Sequence, residues 1–130
     1  MKVYLAGPVN GKTDDECFGW RDEATRLLAE LGHEVLSPMA RDYRGQEAAN
    51  VEPIVHGDLD DINAADAVLV WAETPSWGTA MEVRYACAEA GKTVVAVVPE
   101  GARVSPWLMY HAAIFHTLED AIGHLAETCA

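Results

Sequence analysis

Two stretches of this chain, Ala67-Val68-Leu69-Val70-Trp71 and Thr93-Val94-Val95-Ala96-Val97-Val98, are apolar at almost every position. Their shortness, their valine content and the polar turns around them mark them as strands rather than buried helices. A strand with one wet face alternates polar and apolar residues. A strand apolar on both sides must be covered on both sides, the situation of a parallel sheet with helices on its two faces. The segments between them carry the helical period. Residues 14–31 place Trp20, Ala24, Leu27, Leu28 and Leu31 at helical spacing and stop at Gly32. Residues 53–64, with Pro53 suited to a first turn, residues 79–90, ended by Gly91, and residues 118–128 read as further helices. Residues 2–6, 33–36 and 113–116 read as shorter strands, 105–112 as a short helix and 39–51 as a polar loop. The pattern predicts one α/β domain over residues 1–130, a three-layer sandwich. Its core would be a five-stranded parallel sheet in flavodoxin-like, Rossmann-like order.

Charge limits the partners. The chain carries 21 acidic and 9 basic residues, a net charge of −12. Binders of nucleic-acid polymers show a basic footprint, so none is expected as a partner. A small anion remains possible, because backbone N–H groups bind phosphate without a basic surface. No apolar run approaches the roughly 20 residues of a membrane span, and no membrane partner is expected. The first residues, Met1-Lys2-Val3-Tyr4-Leu5-Ala6-Gly7, read as a strand and not a signal peptide, which predicts a cytoplasmic location. Cys17, Cys87 and Cys129 are too far apart for zinc spacing and read as incidental thiols; the histidines are scattered too, and no metal is expected.

The stretch Ser76-Trp77-Gly78-Thr79-Ala80-Met81-Glu82 joins a buried strand to a helix. That geometry puts Glu82 in or near a first helical turn, at the carboxyl edge of the sheet where ligands of such folds bind. A helix N-terminus favours an ionised carboxylate. An anionic Glu82 facing a cleft is a candidate nucleophile. The turn Gly7-Pro8-Val9-Asn10-Gly11, between a strand and a helix, offers backbone donors for an anionic group.

Four blocks together resemble the nucleoside 2-deoxyribosyltransferase family, which includes the deoxynucleoside 5′-monophosphate N-glycosidases. They are Tyr4-Leu5-Ala6-Gly7-Pro8, the segment from Asp58 through Ile62 to Ala65-Asp66, the Gly78-Thr79-Ala80-Met81-Glu82 segment, and Gly91-Lys92-Thr93-Val94. The resemblance implies that Glu82 is the nucleophile toward C1′ of the sugar. It implies that Asp58 positions sugar or base and assists proton transfer, and that Tyr4 orients the Glu82 carboxylate. It adds Asp66, Ser76 and Gly78 to the turn residues Gly7, Pro8, Val9, Asn10 and Gly11 as substrate contacts. Serine at position 76 resembles the monophosphate glycosidases, whereas the transferases tend to carry an acid there. The implied partner is a small nucleoside or nucleotide, no cofactor is needed, and a homodimer or larger assembly is expected.

The chemistry is coherent without the resemblance. Cleaving an N-glycosidic bond builds oxocarbenium character at C1′, which one carboxylate captures while a second group protonates the leaving base. Two rivals compete. Ala6-Gly7-Pro8-Val9-Asn10-Gly11-Lys12-Thr13 loosely fits a P-loop, with Lys12 on phosphate and Thr13 on magnesium, but Pro8 removes one cradle N–H. A non-catalytic nucleotide-binding module on the same fold is the other. Trp20, Trp71, Trp77 and Trp107 read mostly as core residues, with stacking on a base the lesser reading of Trp77, and nothing in the spacing demands that Arg21 or Arg44 reach a cleft as anion partners.

Overall fold

A computed structural model describes residues 1–128; Cys129 lies outside the described residues. Five strands run β1 (Lys2–Ala6), β2 (Glu34–Leu36), β3 (Ala67–Trp71), β4 (Thr93–Val97) and β5 (Ala113–Phe115). All pair in parallel in the order β2-β1-β3-β4-β5. This is the flavodoxin-like order expected from the apolar runs, with the switch point between β1 and β3.

The helices are α1 (Asp14–Glu30), α2 (Val51–Ala64), α3 (Trp77–Arg84), α4 (Pro106–His111) and α5 (Leu118–Thr128). Successive strand residues point to opposite faces, and each face is covered. Val3, Leu5, Leu69, Val95 and Val97 pack against Trp20, Ala24 and Leu28 of α1 and Leu118, Ile122 and Leu125 of α5. Tyr4, Ala6, Val68, Val70 and Ala96 pack against Ile62 of α2, and Val83 and Ala86 on the other side. Each central strand is therefore shared by two cores, which is why β3 and β4 read as unbroken apolar runs.

Helix starts are set by capping. Thr13 accepts from the Glu16 amide while the Glu16 carboxylate accepts from the Thr13 amide, a reciprocal box that opens α1. The Ser76 hydroxyl accepts from the Thr79 amide, so α3 begins at Trp77, two residues before the expected position 79. Glu82 thus falls in the second turn. After Arg84 the helix widens into a π-helical turn, Tyr85–Glu89. The helix expected from Pro53 starts at Val51, and the loop expected at 39–51 contains two 3₁₀ turns, Pro38–Arg41 and Glu47–Ala49.

The turn after β1 is held against α1 by a close approach. A Cβ on Gly7 would lie 2.7 Å from Cζ2 of Trp20, which is buried and stacked on Trp71 with ring centroids 5.9 Å apart. Trp20 has no room to yield. Gly7→Ala is expected to lower stability by ~1–3 kcal/mol, read as a reduced urea midpoint with an unchanged m-value.

Candidate active site

The carboxyl ends of β1 and β3, the start of α3, one side of α2 and the 38–47 loop enclose a cleft. Gly7, Val9 and Asn10 line it from the first turn, Ser76, Gly78, Thr79 and Glu82 from α3 and its cap, and Asp58 from α2. Residues as far apart in sequence as Gly7 and Glu82 meet here because β1 and β3 are neighbours in the sheet and α2 and α3 cover the same face.

Tyr4 is fully buried in the core below α2 and α3, and its hydroxyl donates to Oε2 of Glu82. It is both a core residue and a site residue. Burial, reinforced by the negative charges of Glu82 and Asp58, drives the phenol far above its usual range, so it stays protonated and serves as a fixed donor. The Glu82 carboxyl is pushed from 4.5 up to about 8, chiefly by burial; the Tyr4 hydrogen bond and Arg21 pull it down, and Asp58 adds to the rise. This corrects the expectation of an anionic side chain held by a helix terminus. The dipole's influence fades beyond the first turn, whereas Glu82 stands in the second and desolvation prevails. In the free protein Glu82 holds its proton at neutral pH.

Asp58 is also raised by burial, against the pull of Arg41. Arg41 Nη2 lies 3.2 Å from Asp58 Oδ1 and 2.8 Å from Asp61 Oδ2. Arg44 pairs with Asp42 at 2.7 Å and Asp14 at 2.6 Å, and its guanidinium sits 5.3 Å from the Phe18 ring centre. Both arginines line the cleft. Arg21 is buried beneath it, donating to the carbonyls of Cys17 (2.8 Å) and Gly7 (3.0 Å). It anchors the first turn from below and sets a positive charge near Tyr4, Glu82 and Asp58.

Some expected contacts lie elsewhere. Asp66 is at the opposite, amino edge of the sheet, where its Oδ2 accepts from the Lys2 amide at 2.7 Å. It precedes β3, and a strand cannot present both of its ends to one cleft, so Asp66 ties β3 to β1 and is absent from this site. Pro8 is buried and Gly11 is exposed in the turn; neither lines the cleft. Trp77 points away from the cleft with 85% of its surface exposed. His111 is buried, with Nδ1 2.6 Å from the Trp107 carbonyl and Nε2 3.0 Å from Arg84 Nη1, and His116 Nδ1 lies 2.9 Å from the Val98 carbonyl. Thr13 is committed to capping α1, and Lys12 sits 3.9 Å from Glu16, which leaves the P-loop reading without its two working side chains. Sequence reasoning missed Arg41. Its neighbour Asp42 and the polar loop around it gave no periodic signal that would have pointed it at Asp58. Among the described residues no three His, Cys, Asp or Glu side chains are grouped as a metal site requires, and no helix is long and apolar enough to cross a membrane.

A cleft at the sheet's switch point, floored by a tyrosine-bound glutamate and faced by an aspartate, agrees with what sequence comparison finds. The profile of the nucleoside 2-deoxyribosyltransferase family matches residues 3–126, and the chain belongs to that family. It is an enzyme of the deoxyribosyltransferase and N-glycosidase class. No curated protein sequence matches at a significant level. Among solved structures, the 2-deoxyribosyltransferase of the psychrotolerant bacterium Bacillus psychrosaccharolyticus superposes with a TM-score of 0.76 at 24% identity, over 92% of this chain and 89% of that one. The CMP N-glycosidase BcmB of Clostridium botulinum superposes with a TM-score of 0.64 at 19% identity, over 96% and 98%. At these identities the two structures speak to the fold.

A carboxyl whose folded pKa is raised stabilises the fold fully below its unfolded value and loses that contribution as pH climbs through the folded value. For Glu82 the window runs from 4.5 to about 8. Glu82→Gln, which cannot ionise, is therefore expected to gain at least ~1 kcal/mol on the wild type between pH 5 and pH 9. Paired urea titrations at the two pH values measure this; an equal difference at both would contradict the burial of this carboxyl.

Proposed function

We propose that the protein cleaves the N-glycosidic bond of a 2′-deoxynucleoside 5′-monophosphate, or of the parent deoxynucleoside, through a sugar covalently held on Glu82. The observation that carries this reading is the Glu82 carboxyl on the cleft floor, oriented by the buried Tyr4 hydroxyl and faced by Asp58. Once ionised, a Glu82 oxygen forms a bond to C1′ as the C1′–N bond breaks and its electron pair leaves with the base. Asp58, or a water it holds, supplies the proton the base takes up. Water or a second base then attacks C1′, and Glu82 departs as carboxylate, with overall retention.

The two helix starts differ in what they offer a 5′-phosphate. α1 opens with Asp14, Asp15 and Glu16, and its Thr13 and Glu16 amides are already taken. α3 has no acid in its first turn, and its cap Ser76 lines the cleft. While the Ser76 oxygen accepts from Thr79, its own proton is free to donate. This favours the α3 start as the seat of the phosphate.

Incubation with deoxynucleosides and their monophosphates, with and without a free base, tests the reading by chromatography. Free base alone means hydrolysis, and a new nucleoside means transfer. Glu82→Ala is expected to lose at least ~10³-fold in kcat, and Lys12→Ala to keep most activity. Wild-type kcat/KM is expected to rise about tenfold per pH unit below an apparent pKa near 8 and to level above it, because Glu82 must lose its proton to attack. Base release that survives Glu82→Ala would overturn the proposal.

A second copy of the chain is the proposed partner. Trp77 and Met81 of α3, with Trp107, Met109 and Tyr110 of α4, form an exposed apolar surface; Trp107 and Tyr110 are 75% and 79% exposed. α3 and α4 pack side by side, and α3 also carries Glu82. The patch thus adjoins the cleft, and a two-fold pairing would cover both copies at once. Light scattering after gel filtration should give twice the monomer mass, and Trp107→Glu should give the monomer.

A further inference from the structure

Arg41 belongs to no strand or long helix, yet its guanidinium occupies one defined place. It bridges Asp58 and Asp61 on α2, at 3.2 Å and 2.8 Å. It also lies across the α2 backbone at Gly57. A Cβ built on Gly57 would stand 2.7 Å from Arg41 Nε and 3.2 Å from Cζ. Gly57 sits in the interior of a helix of 14 residues, where glycine costs ~1 kcal/mol against alanine. Its φ is not positive, so the backbone does not require glycine there. The three atoms nearest to a methyl there all belong to the Arg41 guanidinium. The next residue along the helix is Asp58.

We propose that Arg41 and Gly57 form one device: the glycine lets the guanidinium lie flat on α2, and the guanidinium fixes the Asp58 carboxyl and aims it into the cleft. Arg41 is then a positioning residue for Asp58. The inference rests on the reading of Asp58 as a working group of the reaction. The charges facing Asp58 are few. Asp61 lies one turn along α2, Glu82 and Tyr4 stand across the cleft, and Arg21 lies below it. Asp42, Arg44 and Glu47 of the loop share the same cleft, and Arg44 is committed to Asp14 and Asp42. Without Arg41, Asp58 would keep Asp61 and Glu82 as neighbours and lose the one cation in direct contact with it among the described residues. Lysine would carry the charge but not the planar fork that spans two carboxylates.

Carbon-13 carboxyl titration by NMR tests this on the wild type, Arg41→Met, Arg41→Lys and Gly57→Ala, with the Asp58 signal assigned by its loss in Asp58→Asn. The Asp58 midpoint is expected to rise by about one pH unit in Arg41→Met, by less in Arg41→Lys, and to rise also in Gly57→Ala. The Gly57→Ala result is decisive, because that change keeps every charge and improves helix propensity. A helix merely freed of its glycine would be more stable and leave the midpoint where it was. An unchanged midpoint in either Arg41→Met or Gly57→Ala, with native circular dichroism, overturns the proposal. Steady-state kinetics on the monophosphate panel supplies a separate reading: kcat should fall about tenfold in Arg41→Met. A wild type that releases no base would sink the proposed reaction, while the titration would still decide the role of Arg41.

Discussion

One hydrogen bond, from the Tyr4 hydroxyl to the Glu82 carboxyl, joins the first strand to the third helix across 78 residues of sequence. Its donor is fully buried, and a buried hydroxyl without a partner costs ~1–3 kcal/mol. β1 and α3 are therefore obliged to meet in one register. That register puts the carboxyl at the floor of the cleft and takes it out of water. Desolvation then raises its proton affinity. The placement of Glu82 and its protonation state have the same cause.

The charges around this pair are arranged in tiers. Arg21 lies underneath, fixed by two backbone carbonyls, and holds the Gly7 turn in place. Arg41 stands at the side and is shared by two aspartates. Arg44 sits at the rim, paired with Asp14 and Asp42. The lining acids Asp42, Glu47, Asp58 and Glu82 outnumber the lining arginines. In a chain of net charge −12, the cleft is no basic funnel. In the proposed reaction the anionic group of the substrate is met by the acid-free start of α3 and the Ser76 hydroxyl rather than by lysines and arginines.

The strands and long helices were legible because burial on two faces leaves a distinctive residue pattern. The sheet order, the helix stops at Gly32 and Gly91, and the meeting of Tyr4 with the 76–82 segment all follow from that pattern and from the family resemblance. The boundary error at Trp77 comes from capping by Ser76, which acts outside the apolar period, whereas α2 starts at Val51 with no side-chain cap, two residues ahead of Pro53. Asp66 was misplaced for a simpler reason. It follows a helix and opens a strand, and the linear order hides which edge of a parallel sheet that is unless strand direction is traced.

The sequence by itself determined the layers, the parallel sheet, the acidic surface and the acids available for chemistry, because these depend on residue type and spacing. Only the tertiary structure decided that Glu82 holds a proton, that Asp58 shares Arg41 with Asp61, and that Trp77 turns away from the cleft. Those outcomes depend on distance and on exclusion of water between segments far apart in the chain. Electrostatic energies of that kind are set by depth and neighbours, and no local pattern of side chains encodes either.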